Sequence, residues 1–276
     1  MKIKYISESA PHELADWLKS QGYSVSLVAA APNMTTSIAS HADIRMCRLG
    51  CYDDSPIFKA KASDLSSLRD GYPNDVSFNA ACTGKYFIHN FKYTNPSLFN
   101  AVHRAIARSE DFATFSSDPS KVIEQAMNSC KQAAYSRSPH QSLQLHEIES
   151  ADQAHTKITP PQLRSEAYMI NVKQGYSKCS IVIVDEDSII TYDNGIANAC
   201  EHAGMNVLRI RPGYVALAGY KTGFIGGASG RVGDTIVFCG DISAHPDSTA
   251  ITEFIQERGL NIKSFSFPLT DIGSII

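Results

Sequence analysis

The feature that most constrains what this chain can fold into is a repeat with a period of 48 residues. Five heptapeptides align without gaps, at 41–47, 73–79, 173–179, 221–227 and 269–275. Their third residues are Asp43, Asp75, Gly175, Gly223 and Asp271; their fourth are Ile44, Val76, Tyr176, Phe224 and Ile272. Gly175 to Gly223 and Gly223 to Asp271 are both 48 positions apart. Asp75 to Gly175 is 100 positions, one period with 52 to spare, whereas Asp43 to Asp75 is only 32. The second module is therefore abridged and should lack a full helix. The surplus falls in a polar stretch at about 116–165, read as a surface insertion inside the third module rather than a second domain.

Helix ends repeat as well. Leu14 and Leu18 precede Gly22, Ile196 and Cys200 precede Gly204, and Ile251 and Ile255 precede Gly259, in each case by eight and four positions. That spacing puts both apolar side chains on one helix face. The glycine suits the left-handed position that closes a helix. A short apolar strand follows each time, at 25–28, 207–210 and 262–265. Asp193, Asp247 and Asn95 are expected as N-caps, with Pro96 at the first helical position.

Each complete module then reads strand, helix, strand, inner segment, hairpin. The hairpins expected are 179–184 with 188–192, and 224–228 with 235–239. Such units cannot bury their apolar faces alone and must pack on their neighbours. With 43% hydrophobic residues the chain has the material for that core. Five of them arranged cyclically would close a ring with few exposed edges, and the strand near Ile6 would complete the last module. The chain is thus read as one α/β domain over 1–276.

Other classes are disfavoured. A net charge of −3 gives no basic footprint for nucleic acid. No apolar run approaches the ~20 residues that span a bilayer. The start of the chain lacks the apolar region of a signal peptide. Seven cysteines without framework spacing suggest reduced thiols and a cytoplasmic location. No metal site or cofactor is expected: Cys47 and Cys51 lack a matching ligand pair. The glycines of 223–233 lack a phosphate-loop ending and fit tight turns better.

In Gln174–Cys179, Gly223–Gly230, His245-Pro246-Asp247 and Asp271–Ile276 the chain resembles the penteins, the guanidine-modifying α/β-propeller superfamily. More specifically, these segments look like an uncharacterised bacterial family of that fold. The resemblance covers about 1–95 and 167–276. It implies a pentein-like α/β propeller of five quasi-repeated β-α-β-β modules around a pseudo-fivefold axis. It also implies a Cys nucleophile in the last module, a Gly-His-x-Asp segment and carboxylates for a planar cation. Here Tyr176 stands at the histidine and Lys178 at the carboxylate, and Gly273-Ser274 is not followed by a cysteine. Ordinary guanidine hydrolysis is therefore not expected.

The residues expected around the axis are Asp43, Arg45, Asp75, Asn79, Lys178, Asp271 and Ser274. They could bind a small zwitterionic or cationic ligand, with carboxylates on its cation and Arg45 or Lys178 on its anion. Alternatively, the Asp residues cap inner turns and Lys178 pairs with one of them. Cys179, beside Lys178, is the candidate thiol nucleophile; burial as a small apolar residue is the competing reading for it, Cys47 and Cys82. Three functions stay open: a non-standard hydrolase or transferase acting on an amino-acid-like C–N group, a non-catalytic binding protein, or an interaction scaffold. The oligomeric state is not legible in the sequence.

Overall fold

The computed structural model describes residues 2–31, 34–65, 68–106 and 169–276. The insertion expected at 116–165 lies outside the described residues. The rest forms a mixed α/β fold of small sheets.

The chain opens with β1 (Ile3–Ser7), α1 (His12–Ser20) and β2 (Ser24–Val28), with β1 and β2 parallel. A 3-10 turn at Ala42–Ile44 leads into the antiparallel pair β3 (Met46–Arg48) and β4 (Ile57–Lys59). After the four-residue α2 (Ala62–Leu65) comes the hairpin of β5 (Ala81–Cys82) and β6 (Phe87–His89). Then α3 (Pro96–Ile106) precedes β7 (Met169–Asn171), which runs parallel to β6. The short α4 (Ser177–Ser180) introduces β8 (Ile181–Ile183), β9 (Ser188–Thr191), α5 (Asn194–His202) and β10 (Asn206–Arg209). Finally come β11 (Ser229–Val232), β12 (Thr235–Phe238), α6 (Ser248–Gln256) and β13 (Asn261–Lys263). In both of these last sheets an antiparallel hairpin is followed by a parallel strand across the helix.

The 48-residue period is thus a hairpin plus a helical crossover. The abridged second module is β3–β4, a two-stranded sheet with only α2 after it. The sheet of β1 and β2 is extended by the last residue, since Tyr5 and Ile276 exchange backbone hydrogen bonds of 2.6 and 3.0 Å.

The helices bury the faces expected of them. Leu14 and Leu18, Ile196 and Cys200, and Ile251 and Ile255 are fully buried. Burying one such aliphatic side chain stabilises by roughly 1.5–3 kcal/mol. Gly22, Gly204 and Gly259 have φ of 84°, 88° and 70°, so each helix ends on the left-handed residue the spacing implied. Between the β6 sheet and α3, Phe87, Phe91 and Phe99 stack edge and face to fill the gap.

Two local expectations need correction. The strand pairing with β12 is Ser229–Val232 rather than 224–228. The earlier residues are drawn into turns, where Gly226 and Gly227 lie against neighbouring main chain and the Asp271 carboxylate. Asp247 does not cap α6 with its side chain; its carboxylate is held by the Arg211 amide at 2.7 Å and guanidinium at 2.7 and 2.9 Å. Asp193 and Asn95 do cap their helices. No helix among the described residues is long and apolar enough to cross a membrane.

Candidate functional site

The inner segments that open each sheet are bonded to one another in succession. The amides of Ser177 and Lys178 donate to Asn79 O, Gly227 N to Cys179 O, Ser274 N to Gly227 O, and Asp43 N to Gly273 O. The Cys47 thiol donates to Ala80 O at 3.2 Å. These contacts bring the inner segments of distant modules together, chiefly through heptapeptide positions five to seven.

At the middle stands Asp43, fully buried. Its Oδ2 accepts the Ser274 hydroxyl at 2.7 Å and the Cys179 thiol at 3.1 Å, while Oδ1 has no hydrogen-bond partner. Asn79 locks Cys179 from the other side: Nδ2 reaches Sγ at 3.0 Å and Oδ1 accepts the Cys179 amide at 3.1 Å. Lys178 Nζ donates to Ser274 Oγ at 3.0 Å and lies 3.4 Å from Gly226 O. Ser274 holds φ of 70°, a left-handed conformation that is strained for a serine. Four of the residues expected at the axis, Asp43, Asn79, Lys178 and Ser274, therefore form one network with the candidate nucleophile Cys179.

Asp271 and Asp75 sit apart from that network. Asp271 takes the amides of Phe224 at 2.9 Å and Gly273 at 3.0 Å, so it caps an inner turn. His41, buried beside it, approaches Oδ1 to 3.9 Å. Asp75 accepts the Tyr176 hydroxyl at 2.8 Å. Arg45 is turned back onto Ala39 O and touches none of the others. Lys178 makes no direct ion pair with a described carboxylate, contrary to the pairing expected if it were purely structural; Asp43 is reached only through the Ser274 hydroxyl. The bonds of Lys178 run to a hydroxyl and a carbonyl instead.

Electrostatics set what these groups can do. Burial, then the neighbouring Asp43 and Asp271, push the Cys179 thiol well above its usual range. Burial pulls Lys178 down, against Asp43 and the two thiols. Burial raises Asp271 and Asp75 as well. Cys179 is thus a protonated thiol donating to a carboxylate, the opposite of an activated nucleophile. Cys47 and Cys82 are buried thiols with raised pKa for the same reason.

Beside this network is a cavity of about 40 Å³, and Lys178 forms part of its wall. Arg48, Ala80, Ile183, Arg231 and Ile276 line it too. Sequence reasoning missed Arg48 and Arg231 because both lie just beyond the heptapeptides, one and four positions past Cys47 and Gly227. Reading the repeat register a few residues further would have found them. A larger open cleft of about 540 Å³ lies over the β8–β9 turn, between Asp185, Glu186 and Arg258, and none of the expected site residues lines it. Among the described residues no group of three His, Cys, Asp or Glu is placed to hold a metal ion.

The chain belongs to the family of unknown function DUF6873. That family's model matches residues 5–109 and 126–276, which takes in every residue of the network and of the cavity wall. No curated protein and no solved structure matches the chain.

Proposed function

We propose that this chain is a pentein-like five-module ring that binds a small zwitterionic molecule at its axis without thiol chemistry. The ring closure is supported by the succession of bonds through the inner segments and by the pairing of Tyr5 with Ile276. The carrying observation for function is the pairing state of the axial groups. Cys179 is fixed by Asp43 and Asn79 as a neutral thiol, whereas Lys178 lies beside a cavity with no direct ion pair to a described carboxylate, the Ser274 hydroxyl standing between it and Asp43. A buried cation whose counter-charge, Asp43, is held off by an intervening serine hydroxyl is only partly compensated, and a ligand anion offsets the remaining cost.

The test is a thermal-shift screen of amino-acid-like compounds. Binding should raise the midpoint of wild type and of Cys179→Ala, and Lys178→Met should abolish the rise with no product formed in any case. Loss of ligand response in Cys179→Ala would overturn the reading.

One observation favours a second reading. Lys178 with its lowered pKa donates to a strained Ser274, the arrangement from which a serine–lysine pair could attack an acyl or amidine carbon. Turnover that disappears in Ser274→Ala but survives in Cys179→Ala would decide for it.

A further inference from the structure

The wall of the small cavity carries Arg48, Lys178 and Arg231 and no side-chain carboxylate. None of the three forms an ion pair with a described carboxylate. The carboxylate acting most strongly on Arg48, that of Asp53, is engaged elsewhere: Lys4 Nζ sits 2.8 Å from it, and the Gly233 amide 3.0 Å. Tyr23 donates to it as well, at 2.5 Å. Asp43 is likewise taken by Ser274 and Cys179.

Arg48 is held in a particular way. Its Nη1 donates to the carbonyls of Asp53 at 2.8 Å and Ser55 at 3.2 Å, in the β3–β4 turn. Its Nε and Nη2 are buried and have no hydrogen-bond partner. Those two N–H groups form the side-on edge of the guanidinium, whose parallel bonds match the two oxygens of a carboxylate. Arg231 is steadied by Val184 O at 2.9 Å and by the Tyr52 ring at 5.0 Å. Three cations are thus hydrogen-bonded only to neutral groups around one space; Asp43 and Asp53 act on Lys178 and Arg48 from a distance, and no described carboxylate contacts them to offset their desolvation directly.

We infer that this cavity is a carboxylate site, in which the Nε–Nη2 edge of Arg48 takes both oxygens and Lys178 and Arg231 complete the charge balance. At about 40 Å³ it admits a small planar headgroup, since a single water needs ~10–15 Å³ on this measure. The inference rests on the axial-binding reading above and names the chemistry of the end that enters.

The probe is sodium acetate, compared with sodium phosphate and sodium chloride at matched ionic strength, read as the thermal midpoint of the full chain. Acetate should raise the midpoint saturably by several degrees over chloride, with phosphate matching chloride. Arg48→Gln should lose the acetate-specific rise, and so should Arg231→Gln, a second variant in case the first does not fold. An equal response to all three salts overturns the carboxylate assignment, as does a rise with phosphate alone, or an acetate response intact in Arg48→Gln or Arg231→Gln. A metabolite shift that needs Lys178 but survives both arginine variants would keep the axial-binding reading while sinking this one.

Discussion

Cys179 was placed by the repeat, but its chemistry came from partners 136 and 100 residues away in sequence, Asp43 and Asn79. Adjacency to Lys178 suggested an activated thiol; the fold instead turns the ammonium toward Ser274 and gives the thiol a carboxylate. We expect native Cys179 to resist iodoacetamide at pH 8 for hours and to react at once in urea, as read by mass spectrometry. Labelling within minutes in the native state would contradict the assigned protonation. His89 gives a second prediction at this scale. Its Nε2 reaches Val76 O at 3.0 Å and its Nδ1 the Thr94 hydroxyl at 2.6 Å, and burial pulls its pKa down from 6.5 to about 4. A base with a lowered folded pKa favours the folded state fully above its unfolded pKa. That contribution is lost as pH falls from about 6.5 to 4, by up to about 3 kcal/mol. Urea midpoints across that window should decline in wild type and decline less in His89→Gln.

At the scale of elements, sequence periodicity carried far. The paired apolar positions before Gly22, Gly204 and Gly259 located three helices and the strands after them. Such local patterns are legible because one helix face and one left-handed residue suffice to write them. The β11 strand was misplaced because glycines in 223–230 look alike in sequence whether they serve a strand or a turn. What distinguishes them is the neighbouring chain: a side chain at Gly226 would run into the carbonyls of Lys178, Cys179 and Ile181. Gly226→Ala should therefore cost more than about 3 kcal/mol in chemical denaturation, because main chain has to move. Removing the α5 cap is a milder change: Asp193→Ala loses the bond to the Ile196 amide, 2.8 Å long, and should cost about 1 kcal/mol.

For the whole molecule, spacing pointed to repeated hairpin-and-crossover units and to a short one, and the small sheets, with β3–β4 only two-stranded, agree with that much. Spacing did not indicate which charges face each other across the axis, because that depends on how residues 6, 7 and 8 of separate repeats turn. The proposed ring makes the ends of the chain mutually dependent. Deleting residues 274–276 removes the bonds to Tyr5 and Gly227 and the Ser274 hydroxyl from Asp43. The truncated chain should lose stability throughout. Hydrogen exchange should speed up in β3 and β8 as well as in β1; an effect confined to β1 would argue for sheets that stand independently.

The glycines of the fourth inner segment carry one more consequence. Where Gly226, Gly227 and Gly230 sit, the space a side chain would occupy already belongs to Ile181 O, Asp271 and Ile275. Those three positions are closed to any larger residue. If the proposed axial binding holds, variation in recognition falls instead to the side chains of the adjoining cavity wall, Arg48, Lys178 and Arg231. Relatives that change specificity should therefore differ there while keeping the three glycines.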